Sequence, residues 1–419
     1  MPMLSPAKWT VISALTFLPV PALAQAPAGL PEGHGKDLVA GMCAGCHAVD
    51  MITRSSGYSR DHWKELIGTM LDLSTPSAQE TQATITQYLA EKFPPNTRRA
   101  PNLVPGPIQI ELKEWVTPTL GQRTRDPVEG VDGKVWWVGQ FGNLLGRLDM
   151  ATGEMKEWPL PPDAKPHSVT PDAHGNAWYT GNQNGTMGKF DPKTEKITEY
   201  KMPDPKVKDP HTAEFDRNGI MWFTAQHANV IGRLDPKTGD IKLVNTLTNV
   251  KPYGIKIDAE GTPWVSCNGA ACLIKVDPVD MMLTEIRLPV AGTTVRRLDI
   301  AEDGMIWYVN SGQGKIGRYN PKSGEIKEWD SPSGKNSHPY AIVVVNGIVW
   351  YNESGMRPDP LVRFDPQTET FQSWAVPSGN VYAGIIRHMR PTRDGNLLIH
   401  QTSTNRVMLV TPKSRAASR

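Results

Sequence analysis

Cys43, Cys46 and His47 stand in the spacing C-x-x-C-H within the stretch GMCAGCHAVD, residues 41–50. Two thiols two residues apart, followed at once by an imidazole, are what covalent attachment of a c-type haem requires. Each thiol bonds one vinyl group, and His47 ligates the iron from the proximal side. A zinc half-site would need two further ligands, for which only His34 and His62 stand nearby. A redox dithiol would need a surrounding βαβ pattern, which the flanking sequence lacks. A sulfur ligand on the distal face would come from Met51 or Met70. Met51 is too close in sequence to His47 to loop over, so Met70 is the expected distal ligand, with His62 as the weaker candidate. The competing use of Met70 is as a core residue of an amphipathic helix.

The elements around this motif are helical. GHGKDLVAGMCAGCH runs into it, and SRDHWKELIGTMLDL and SAQETQATITQYLAEKF carry apolar residues at helical spacing, with Ser59 and Ser77 as N-caps and Pro94 and Pro95 ending the last helix. Upstream, Lys8 precedes the apolar run WTVISALTFLPVPALA, and Ala22-Leu23-Ala24 supplies the small residues of a cleavage site. Residues 1–24 therefore read as an export signal. Pro19 and Pro21 interrupt a run already short for a span of ~20 residues. The expected compartment is the periplasm, with no membrane span after signal cleavage and with disulfides able to form. The segment from Cys43 to Phe93, in which Trp63, Met70 and Tyr88-Leu89-Ala90 follow the haem motif, resembles the class I cytochrome c modules attached to periplasmic dehydrogenases.

Most of the 419 residues belong to something else. From residue 108 onward the chain repeats every forty-odd residues, as in GKVWWVGQFGNLLGRLDMATGEMKEWPLP, GNAWYTGNQNGTMGKFDPKTEKITEYKMP and GIMWFTAQHANVIGRLDPKTGDIKLVNTL. That is the period of a propeller blade. Each unit supplies four short strands, and turns such as DPKTG and NPKSG carry the proline and glycine of a tight hairpin. The last repeat lacks its fourth strand, while PIQIELKEWVTP at 107–118 is a fourth strand without a blade before it. Ile108 to Trp115 is thus expected to complete the blade begun near Arg387 and close seven blades into a ring. A net charge of +2 without a long basic run excludes nucleic acid as a dedicated partner. Hydrophobic content of 39% with 37 Gly and 37 Pro fits a turn-rich all-β protein.

In an antiparallel hairpin the start of one strand lies beside the end of the next. Residues about fourteen apart should then meet at one mouth of the central tunnel: Arg125 with Gly139, His167 with Gly181, His211 with Ala225, Tyr253 with Cys267, Arg296 with Asn310, Tyr340 with Glu353 and Arg387 with Gln401. From this ring His167, His211, Arg296, Tyr340, Glu353 and Arg387 are the candidate catalytic residues. His227, His338, His388 and His400 lie near blade ends and could join His167 and His211 in holding a divalent metal at the mouth. Cys267 and Cys272 flank the turn CNGAAC and are expected to form a disulfide.

The repeat resembles the virginiamycin B lyase (streptogramin lyase) family of seven-bladed propellers over residues 108–412, through PHSV at His167, PHTA at His211, WYNE at Glu353 and the IGRLD and EIKEW strands. The resemblance implies a histidine and a glutamate of one blade acting with a magnesium ion in eliminative opening of a lactone. This chain keeps both histidines but has Gly181 and Ala225 where their partner carboxylates would stand, and its Glu353 lies in a blade with Tyr340 at the histidine position.

The expected organisation is a signal peptide (1–24), a small all-α cytochrome c domain (30–95), a linker (96–107), an all-β seven-bladed β-propeller whose N-terminal strand closes the last blade (108–412) and a tail (413–419). Because elimination needs no haem, the expected function is that of a periplasmic c-type haem protein. It would couple oxidation of a small organic substrate at the propeller to electron transfer toward a soluble periplasmic carrier. The alternatives are a lyase-like eliminative C–O lyase with a tethered cytochrome, and a non-catalytic protein that docks a redox partner and delivers electrons to it.

Overall fold

A computed structural model describes residues 29–43, 52, 58–94, 100–247, 249–377 and 385–414. The expected export signal, Cys46 and His47 lie outside the described residues.

Each repeat becomes one four-stranded antiparallel sheet, and seven such sheets make up the β structure of the described residues. The second strand of a blade, for instance Met221–Ala225, is buried along its whole length because it is covered by a neighbouring blade on either face. The outer strand, for instance Ile241–Asn245, is only partly buried. Side chains between adjacent blades form the core, as where Trp222 and Ile231 of one blade pack with Ile255, Val265 and Ile274 of the next.

Two recurring devices shape the blades. At the turn into the second strand an aspartate accepts from the indole Nε1 of the tryptophan six residues on: Asp172 from Trp178 at 2.9 Å, Asp216 from Trp222 at 3.1 Å and Asp258 from Trp264 at 2.8 Å. The same Asp216 carboxylate also accepts from the backbone N–H of Asn218 and Ile220, which closes the turn. In the third strand a glycine lies opposite a large aromatic of the second strand. A Cβ on Gly232 would stand 2.2 Å from the Phe223 ring, and one on Gly188 2.0 Å from Tyr179. The IGR motif therefore reflects a site where a ring lies flat over bare backbone.

Closure is as the repeats imply. Ile108–Val116 pairs antiparallel with Arg406–Ser414, from Ile108 opposite Ser414 to Val116 opposite Arg406. The sheet holding the first strand of the propeller thus also holds its last, and the ring leaves no open edge between them. Cys267 and Cys272 are joined by a disulfide across the turn between two strands of one blade.

The N-terminal described residues are helical: Lys36–Leu38 continuing into a π turn at Val39–Cys43, then Arg60–Gly68 and Pro76–Lys92. They pack around Val39, Trp63, Leu66, Ile85, Tyr88 and Phe93. Ser59 caps its helix, accepting from His62 N–H at 3.2 Å. The cap of the following helix is Thr75 and not Ser77: Pro76 takes the first helical position, where a missing N–H costs nothing, so the capping oxygen must come from the residue before it. Residues 100–107 lie along the propeller, with Asn102 bonded to Ser333 and Pro332 and Val104 to Ser373, so this part of the expected linker is anchored.

Gly232→Ala should lower the unfolding free energy by about 1–3 kcal/mol, because the added methyl has no room against Phe223. Chemical denaturation would show it, whereas the same change at Gly219, which has open space around it but φ of +78°, should act only through its backbone.

Candidate functional site

Strand register decides which side chains enter the tunnel. In the blades of His211, Tyr253, Arg296 and Tyr340, the residue paired with the end of the second strand is the one before the candidate: Pro210 opposite Ala225, Pro252 opposite Cys267, Val295 opposite Asn310 and Pro339 opposite Glu353. The register then shifts, so that His211 and Thr212 together oppose Thr224, and Tyr340 and Ala341 together oppose Asn352. This is a β-bulge, which kinks the strand and re-aims one side chain. The fourteen-residue pairing read from the sequence is therefore off by one, and a slip of one residue sends the partner side chain to the other face.

Glu353 is the residue this moves most. Fully buried away from the mouth, its carboxylate accepts from Ser331 Oγ at 2.6 Å, from Ser333 N–H at 2.9 Å and from Ser333 Oγ. It ties two strand ends together and does not face the tunnel with His167 or His211. The other five candidates do come together. His167, His211, Arg296, Tyr340 and Arg387 line a cavity of about 240 Å³ with Arg123, Arg125, Tyr253, Gln140, Asn182, Gln226 and His227. Gln140, Asn182 and Gln226 were missed in the sequence, although they form a visible column, the residue just after WWVG, WYTG and WFTA.

Tyr253 and Tyr340 meet hydroxyl to hydroxyl across the cavity. The guanidinium carbon of Arg296 lies 5.0 Å from the Tyr340 ring centre and that of Arg387 5.5 Å from it. Burial by itself would push the Tyr340 phenol up, but Arg387, Arg296, Arg125 and Arg297 outweigh it and bring it down to about 6. Tyr253 moves the other way, raised by burial and by the neighbouring phenolate. The pair thus shares one proton between its two hydroxyls at neutral pH, with either oxygen able to donate.

The His167 and His211 rings lie against each other, centres 3.5 Å apart and planes tilted by 33°. His167 Nδ1 lies 3.1 Å from the His211 carbonyl oxygen, which can only accept, so the proton sits on Nδ1 and Nε2 keeps its lone pair. Burial first, then nearby arginines, hold both imidazoles well below their ordinary value, and both are neutral at pH 7.

Behind the mouth, Asp126 lies 3.0 Å from His388 Nδ1 and 4.0 Å from Arg297. Glu214 is engaged by Arg390 and lies 3.4 Å from Lys256. His338 contacts Ser354 at 3.0 Å and His400 is fully buried. Among the described residues no group of three or more His, Cys, Asp or Glu converges in a way that would hold a metal ion.

The helical unit docks beside this mouth. The Thr69 carbonyl accepts from Gly121 N–H at 2.9 Å and from Asn405 Nδ2 at 2.7 Å, and Asn405 Oδ1 in turn accepts from the backbone N–H of Arg123. Arg123 is a lining residue of the cavity, and Met70, the expected distal haem ligand, follows Thr69 directly. Cys43 and Met70 both pack against the apolar core of the helical unit.

A model of the Virginiamycin B lyase family matches residues 108–271. No curated protein matches the sequence. Among solved structures, selenomethionine-substituted virginiamycin B lyase from Staphylococcus aureus superposes with a TM-score of 0.66 at 23% identity, over 72% of this chain and 99% of that one. A streptogramin B lyase gives 0.66 at 25% identity over 73% and 98%. A catalytically inactive variant of the S. aureus enzyme with quinupristin gives 0.65 at 23% over 72% and 99%. The propeller is thus virginiamycin B lyase-like in fold.

An ultraviolet titration should reveal one phenolate already formed at neutral pH, with a midpoint of about 6, and this signal should vanish in Tyr340→Phe. A full set of tyrosines titrating only near their ordinary value would contradict the geometry.

Proposed function

We propose that the tunnel mouth is the active site of an eliminative carbon–oxygen lyase in which the Tyr340 phenolate is the base. The hydroxyl contact between Tyr253 and Tyr340, ringed by arginines, carries this reading. A base works best when its pKa lies near the working pH, and a phenolate poised at about 6 meets that condition. The two histidines, held well below their ordinary value, are weaker bases. The virginiamycin B lyase-like fold supports the same reaction class.

Tyr340 takes the proton from the carbon beside a carbonyl or carboxyl group, and the C–H electron pair becomes the new C=C bond. The C–O bond at the next carbon breaks, its electron pair leaving with oxygen, and Tyr253 supplies a proton to that oxygen. The pair begins and ends with one proton, and no electron acceptor is needed. Arg296 and Arg387 face the negative charge that develops on the substrate oxygen. The bare Nε2 of His167 accepts a hydrogen bond from the substrate and helps to orient it. The magnesium ion implied by the lyase resemblance does not fit these residues. Guanidinium groups stand where a cation would need carboxylates, Glu353 and Glu214 are engaged elsewhere, and no step passes through a metal.

A second reading, electron transfer coupled to substrate oxidation, is favoured by the docking of Thr69 on Asn405 and Gly121. Cys43 and Met70 both pack against the apolar core of the helical unit, which supports this reading. When bound, such a haem would supply one-electron transfer beside the mouth, to a soluble periplasmic carrier. The Cys267–Cys272 disulfide supports an oxidising compartment for either reading.

Mass spectrometry of esters and hydroxy acids incubated with the full-length protein should find an unsaturated product with no net oxidation. Tyr340→Phe should slow its formation by about 10²–10⁴-fold. If the compound instead loses two electrons while reduced-haem bands appear, elimination is wrong and the second reading stands. Asn405→Ala should then slow that reduction without altering the haem spectrum.

A further inference from the structure

Four guanidinium groups, from Arg123, Arg125, Arg296 and Arg387, share one cavity whose lining, among the described residues, contains no aspartate or glutamate. Arg125 is 2% exposed, and its Nη1 donates to Gln140 Oε1 at 2.7 Å, a partner that brings no charge. Among the described residues, the Nε atoms of all four are buried without a hydrogen-bond partner. Arg297, just behind them, differs: the Asp126 carboxylate lies 4.0 Å away and neutralises it. The single phenolate shared by Tyr253 and Tyr340 offsets one positive charge. Guanidinium does not give up its proton to relieve repulsion, so the remaining charge needs a counter-charge from outside the chain. Burial and the neighbouring arginines push Arg123 and Arg125 below their ordinary value in spite of the two tyrosines and, for Arg125, Asp126, whereas the tyrosines hold Arg296 up.

The geometry of the missing partner follows from the donors. A guanidinium presents parallel N–H groups that match the two oxygens of a carboxylate. The cavity of about 240 Å³ is at the small end for a ligand site, so the part of the substrate that enters is small. Proton removal beside a carboxylate also builds transient negative charge on that group before it passes to the departing oxygen, and several cations would stabilise it.

We propose that the mouth recognises the polycarboxylate end of a small acid, two or three carboxylates entering against Arg123, Arg125, Arg296 and Arg387. This rests on the eliminative reading of the same site and supplies its substrate class: a β-acyloxy or β-alkoxy polycarboxylic acid, from which the C–O bond is broken.

Isothermal titration calorimetry of the full-length protein at low ionic strength, with propionate, succinate, tricarballylate and inorganic phosphate, tests it without turnover. Tricarballylate should bind at least about tenfold more tightly than propionate, with succinate between them and phosphate weaker than succinate. Arg125→Gln and Arg387→Gln should each reduce tricarballylate binding by about tenfold or more while leaving the thermal unfolding of the propeller cooperative. The wild-type order stands as a test even if a variant fails to fold. Equal binding of all the acids, or none, overturns the proposal, and phosphate binding as tightly as tricarballylate overturns the assignment to carboxylates. Should the predicted order appear while no β-substituted polycarboxylate is cleaved, the anion site survives and the lyase reading fails.

Discussion

The bulge on the inner strand is the constraint from which the site follows. A regular antiparallel pair alternates its side chains between faces, so a strand ending at the tunnel would present every second residue to it. Setting two residues against one breaks the alternation where the chain reaches the mouth, and the break recurs at His211, Tyr253, Arg296 and Tyr340. Large polar side chains from separate blades are thereby turned into one small space. Arg125 and Arg296 start from strands of separate sheets, Arg123 from the turn held by Asn405 and Arg387 from the segment leading into Met389–Pro391, so the backbone brings the four guanidinium groups together.

That arrangement explains the tyrosine chemistry. A buried phenol normally resists ionisation, and Tyr179 and Tyr308, which contact glutamates within the blades, and Tyr351, which feels the charge of Glu353, are all pushed up. Tyr340 is equally buried yet goes down, because its neighbours are cations. The same residue type on the same architecture is thus inert in the blade core and ionisable at the mouth. The helical unit reaches this environment through backbone and amide hydrogen bonds at Thr69, Asn405 and Arg123, so the two parts of the chain meet at the site instead of merely sharing a chain.

Blade architecture was readable because its markers are local. The Asp–Trp turn, the glycine beneath an aromatic ring and the Pro-Gly hairpins each need a particular residue at a fixed offset, so they recur visibly in the sequence. The closing strand was equally legible, since an orphan fourth strand and a blade short of one strand match. Register at the mouth was not. A bulge adds a residue without changing the repeat length or leaving a residue signature, and this is why Glu353 seemed to face the tunnel when it in fact binds Ser331 and Ser333. Arg123 was missed for a different reason: it precedes the inner strand, and only the turn held by Asn405 brings it to the cavity. The helix cap at Thr75 depended on a single proline, and reading Ser77 there ignored what Pro76 prefers.

The central claim is that an ionised Tyr340 at the tunnel mouth does the chemistry. The most direct test is the pH dependence of kcat/KM for cleavage of a β-substituted polycarboxylate by the full-length protein. A base must be deprotonated to act, so the rate should rise with pH through about 6 and level off above it, and in Tyr340→Phe this limb should be lost along with most of the activity. A rate that keeps climbing toward the ordinary phenol range, or a limb at about 6 that persists in Tyr340→Phe, would contradict the account.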